Sequence, residues 1–169
     1  MQRSRPDEGN VLKGLAAGIA GGLVASLVMN QLQSLLMKVS AGAKGEQEKN
    51  GGEDATVKAA AAVSSGLFHH ELRPEEKKVA GPAVHYAMGA TMGALYGTLA
   101  ELDTRVTTGA GVPFGAAVWL GADEIAVPAL GLSRPPTETP ASTHAYALAS
   151  HAVYGLTTDL VRRALRRVM

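Results

Sequence analysis

Apolar residues gather into four stretches along this chain. They are GLAAGIAGGLVASLVMNQLQSLLM (residues 14–37), PAVHYAMGATMGALYGTLAEL (82–102), GVPFGAAVWLGADEIAVPALGL (111–132) and STHAYALASHAVYGLTTDLV (142–161). At ~1.5 Å rise per residue, each is long enough to cross a hydrocarbon layer of roughly 30 Å as a helix. The pattern predicts an all-α chain, a four-helix transmembrane bundle forming a single membrane domain over residues 1–169.

Polar residues predict the connections. Residues 41–78 form an insertion between the first two spans. Its first part, AGAKGEQEKNGGED, is rich in Gly and charge and reads as a flexible linker. DATVKAAAAVSSGLF follows and reads as a short helix with Asp54 as its N-cap, at the membrane interface. The charged connector HHELRPEEKK (69–78) leads to Pro82, expected in the first turn of the second span. His69 and His70 read as an exposed polar turn rather than a metal site. GLSRPPTETP (131–140) joins the last two spans tightly.

Small residues sharpen the membrane reading. Gly14, Gly18 and Gly22, then Ser26, recur every four positions in the first span, and Gly89, Gly93 and Gly97 do so in the second. Gly111 and Gly115 open the third. A water-exposed helix interior loses about 1 kcal/mol per Gly relative to Ala. In lipid, small-xxx-small rows are packing seams that let backbones approach, so a glycine zipper between helices is expected. Only 18% of residues are charged and 4% aromatic, which would leave a water-soluble core thin. A soluble helical bundle is the competing reading. For the first span alone a cleaved signal peptide competes, but the run exceeds the usual h-region. An old duplication of one helical hairpin is suggested by ALYG (94–97) against AVYG (152–155) and by the glycine-spaced openings of spans one and three.

Charge sets partners and orientation. The net charge of +1 and the lack of basic-aromatic interleaving give no case for nucleic acid. The absence of Cys removes disulfides, thiolate metal sites and Cys nucleophiles. No G-x-S-x-G, P-loop or H-E-x-x-H occurs, and the chain is read as non-enzymatic. Arg3, Arg5 and Lys13 in one tail and Arg162, Arg163, Arg166 and Arg167 in the other place both termini in the cytoplasm by the positive-inside rule.

Polar residues inside the spans are the candidate site. In an up-down-up-down bundle Asn30 falls late in span one, His85 early in span two, Asp123 and Glu124 late in span three, and His144 and His151 early to middle in span four. All six then occupy one half of the bilayer. Charged groups at such depth normally face the bundle interior and pair with one another. His144 and His151, seven apart, share a helix face, whereas Asp123 and Glu124 lie about 100° apart. A buried hydrogen-bonded network, a proton relay, and a metal or tetrapyrrole site all remain open, and the metal and cofactor are unassigned.

His85, Ala100–Glu101, PALGLSRPP (128–136), HAVYG (151–155) and VRRALRR (161–167) form a set of landmarks along the chain. In these it resembles the YagU-like family of uncharacterised bacterial inner-membrane proteins. The resemblance implies a small multi-span protein of the inner membrane, with no catalytic residues to carry over. The expected role is an accessory or stress-related membrane component that meets lipid and associates with itself or a larger complex. A proton-linked transporter or channel-like bundle is the alternative.

Overall fold

The computed structural model describes residues 8–43 and 54–169. Most of the linker at 41–54, with Arg3 and Arg5, lies outside them. Among the described residues the fold is all-helical. Its helices are α1 (Glu8–Ala43), α2 (Ala55–Phe68), α3 (Pro74–Leu102), α4 (Val112–Trp119), α5 (Val127–Ala129) and α6 (Ala141–Arg166). A π-helical segment, Leu120–Ala126, joins α4 to α5.

Local chemistry explains the boundaries. The Asp54 side chain caps α2 by accepting from the Thr56 N–H at 2.8 Å. The second long helix starts at Pro74, eight residues before Pro82. Pro74 takes the first-turn position, and Glu75 and Glu76 follow where the helix dipole favours acids. Pro82 lies inside α3 and not in its first turn. Its missing N–H leaves the Lys78 carbonyl without its usual helical partner.

α1 is the central helix, packed along α3 on one side and α6 on the other, and α4 packs on α6. α1 and α3 run antiparallel so closely that glycine faces glycine. A Cβ added at Gly14 would strike the Gly97 carbonyl, one at Gly18 the Gly93 carbonyl, and one at Gly22 the Gly89 carbonyl. A second seam joins α4 to α6, where Gly111 and Gly115 lie against the backbone of Gly155 and His151. Gly111 also has φ +81°, so glycine is required there twice over. Gly21 completes the packing against the Thr158 carbonyl of α6.

These seams invert the usual distribution of side chains. The buried hydrophobic residues are Ala17, Ala25, Met29, Ala60, Tyr96, Ala100 and Tyr154, joined by the polar Ser26, Ser150, Thr158, Asp159 and Arg162. Among the described residues no Leu, Ile, Val or Phe is buried. Leu27 is 48% exposed, Leu95 45%, Ile125 59% and Leu160 54%, so every long helix turns large apolar residues outward.

Among the described residues, α1 alone is long and apolar enough to cross a membrane, over Glu8–Leu36, with mean hydropathy 1.8. α3 and α6 are comparably long but carry His, Tyr, Thr, Asp and Arg on their packed faces. The π-helical segment divides the third stretch into short pieces.

The seam predicts an asymmetric response to the same substitution. Gly22→Leu should lower stability in detergent by more than the roughly 1–3 kcal/mol of ordinary overpacking, because the clash is with backbone. Gly121→Leu, with nothing within 4 Å of its Cβ position, should leave the thermal midpoint unchanged.

Candidate functional site

The six polar residues read from the sequence come together at one end of the helices, on a frame set by the π-helical segment. Its wider turn carries the adjacent acids Asp123 and Glu124 to two different histidines of α6. Glu124 Oε1 lies 2.6 Å from His144 Nδ1, and His144 Nε2 lies 3.0 Å from the Pro136 carbonyl. Asp123 Oδ2 stands 3.6 Å from His151 Nδ1, which is itself 3.0 Å from the Ala147 carbonyl. Glu124 and His151 are largely buried, and His144 and Asp123 are partly open.

α3 and α1 complete the cluster. His85 interacts electrostatically with Asp123, and its Nε2 is buried without a hydrogen-bond partner. The His85 ring packs edge-on to Tyr86 with centroids 5.7 Å apart. Tyr86 takes a 3.4 Å hydrogen bond at its hydroxyl from the Asn30 amide. Tyr86, overlooked in the sequence, is therefore the link between Asn30 and the histidines. His69 and His70 stay apart from this group. His69 is the exposed left-handed C-cap of α2, and His70 pairs with Glu76 at 3.0 Å. Among the described residues no three His, Asp or Glu side chains stand close enough to hold a metal ion.

Glu76 belongs to a separate corner where α2 turns into α3. Its carboxylate accepts from the Arg73 backbone N–H at 2.8 Å and from the Arg73 guanidinium at 3.1 Å, with His70 beside it. These bonds, led by the backbone one, hold its pKa down to about 2.

A second polar centre at the opposite end escaped the sequence reading. Glu101 at the close of α3 takes Arg166 in a bidentate grip, Nε at 2.8 Å and Nη2 at 3.2 Å, and Arg162 Nη1 at 3.3 Å. These bonds raise the Arg166 pKa above its ordinary value. Arg166 also donates to Asn10 of α1 at 3.2 Å. Asp159 is fully buried, with Arg162 Nη2 at 3.5 Å and Arg163 Nε at 2.7 Å. The Arg163 contact is an ion pair without hydrogen-bond alignment at Asp159 Oδ2. The Arg162 guanidinium lies 5.8 Å from the centre of the Tyr96 ring, and Tyr96 packs on Phe114. Arg162, Arg163 and Arg166, read from the sequence as orientation signals, are thus bound into a network. Extending the internal echo four residues would have found its acids, because ALYGTLAE ends on Glu101 and AVYGLTTD on Asp159.

Residues 63–160 match the family described as "Protein of unknown function (DUF1440)". The match spans more than half of the chain, which belongs to this uncharacterised family. It takes in Asp123, Glu124, His85, Tyr86, His144 and His151, with Glu101 and Asp159, but leaves out Asn30 and stops before Arg162. No curated protein and no solved structure matches the chain.

Two consequences can be measured. Glu101→Ala leaves the guanidinium of Arg162, buried to 10% exposure, short of a partner and should cost about 3–5 kcal/mol in detergent-solubilised protein. At the α2–α3 corner, the lowered carboxyl pKa stabilises the first turn of α3 above the unfolded value near 4.5. That contribution should fade as pH falls towards 2, seen as a lower exchange protection factor, corrected for the intrinsic rate, at the amides of Arg73 and Lys77. Glu76→Gln should remove the pH dependence.

Proposed function

We propose that this chain is a four-span integral protein of the bacterial inner membrane, with both termini cytoplasmic, acting as a non-enzymatic accessory or stress-related component. The observation that carries this reading is the inverted burial: large aliphatic side chains outside, glycine, alanine, tyrosine and ion pairs inside. In water such a surface exposes apolar patches on every long helix. In lipid it is the favoured arrangement, because tails solvate Leu and Val while small residues let helices meet. The antiparallel order of α1, α3, α4–α5 and α6 supports four crossings, and α4 to α5 still spans roughly 27 Å at a helical rise. The arginines at the end holding both described chain ends support the cytoplasmic orientation. The YagU-like resemblance supports the inner membrane. Outward Leu and Val faces suit self-association or docking in a larger membrane complex.

A proton-linked transporter or channel-like bundle is the second reading, favoured by the two carboxylate–imidazole pairs on the π-helical segment.

The natural lack of Cys makes the topology testable with single cysteines. Ser133→Cys should react with a membrane-impermeant maleimide in intact spheroplasts, and Thr108→Cys only after permeabilisation. The protein should stay in the membrane pellet through carbonate extraction. Recovery in the cytosol without detergent would end the membrane reading, and equal labelling of both sites would end the four-span topology.

A further inference from the structure

The carboxylate–imidazole cluster has more structure than a register-fixing hydrogen-bond network needs. Backbone carbonyls only accept, so they fix the hydrogens of the ring nitrogens that face them. His144 Nε2 faces the Pro136 carbonyl at 3.0 Å and therefore carries hydrogen. Its Nδ1 lies 2.6 Å from Glu124 Oε1, a contact that two bare lone pairs would not tolerate. One proton is held between them, on either the imidazole or the carboxyl.

The deeper half is arranged differently. His151 Nδ1 faces the Ala147 carbonyl at 3.0 Å, which leaves Nε2 as the atom that gains or loses a proton. Asp123 Oδ2 stands 3.6 Å from that ring without a directed hydrogen bond, so its charge acts on His151 without being consumed by it. His85 Nε2 on α3 is buried, partnerless and within electrostatic range of the same carboxylate. The charged and titratable neighbours are thus His144 and His151 from α6, Asp123 and Glu124 from the π-helical segment and His85 from α3. α1 contributes the neutral Asn30 through Tyr86.

We propose that this cluster is a proton-binding site opening towards the α5–α6 loop. Glu124 and His144 share one proton at its mouth, and Asp123 draws one further proton onto His151 or His85 deeper in. The incoming proton comes from water at the loop, binds an imidazole Nε2 lone pair, and changes no other bond. Asp123 stands beside His151, and a proton on one imidazole opposes a second on the other. The site names the ligand for the proton-linked reading and rests on the membrane placement above, which the fractionation experiment tests separately.

Histidine-selective ¹⁵N NMR of the full chain in detergent micelles, titrated from about pH 4 to 9, tests it across the ordinary carboxyl and imidazole ranges. His85 and His151 should titrate with linked curves. Asp123→Asn should displace both midpoints, and His85→Gln should displace that of His151. Glu124→Gln should abolish the strongly deshielded Nδ1 proton of His144. Should Asp123→Asn not fold, the His85→Gln and Glu124→Gln spectra carry the same comparison. Independent titration of His85 and His151 in the unaltered chain, or midpoints unmoved in a folded Asp123→Asn, would overturn the proposal.

Discussion

Backbone meets backbone where α1 crosses α3, and the rest of the structure follows from that contact. Between Gly18 and Gly93 there is no room for even one methyl group. Helices this close gain dispersion and Cα–H···O contacts along the seam, each small and summed over several turns. The same closeness excludes bulky aliphatic residues from the interior, so Leu and Val must point away. What remains inside, apart from the Asp159–Arg162 pair, is Gly, Ala, Ser, Thr, Met29 and two tyrosines, and a core of that kind says little about how far one helix may slide past another. Directional bonds at the two ends supply that information. Glu101 ties α3 to α6 at one end, and Glu124 and Asp123 tie the π-helical segment to α6 at the other.

The two seams also relate the halves of the chain. Gly14 against Gly97 in the first hairpin corresponds to Gly111 against Gly155 in the second. In each, a buried tyrosine precedes the glycine, and an acid follows four residues later. The correspondence breaks three residues past the first glycine, where α1 has Ala17 and α4 has Phe114. Ala17 is fully buried, whereas the Phe114 ring needs space beside Tyr96, with centroids 4.8 Å apart. Phe114 thus sets the second seam apart, with an aromatic ring where the first has a methyl group.

Much of this was legible in the sequence, for definite reasons. Four-residue glycine spacing marks one face of a helix, and antiparallel connection then sets which glycines can face each other. The same reasoning placed six polar residues at one end. The π-helical segment was not legible, because a changed hydrogen-bond register leaves no residue signature in ADEIA. Reading 100° per residue there set Asp123 and Glu124 apart but did not show that each reaches its own histidine. Pro82 drew attention away from Pro74, whose following acids are the better start signal. Glu101 and Asp159 were missed because acids near span ends look solvated, and only their shared place after Tyr-Gly distinguishes them.

The one-sided attachment of α4 has a mechanical meaning. The α4–α5 arm is a cantilever, clamped along α6 by Gly111 and Gly115, braced at Phe114 and latched at its far end by two acid–imidazole pairs. A load on the arm passes into α6 through the glycine clamp and into α3 through Phe114 and Tyr96. Releasing the latch frees the tip while the clamp still holds, so the arm bends before the bundle parts.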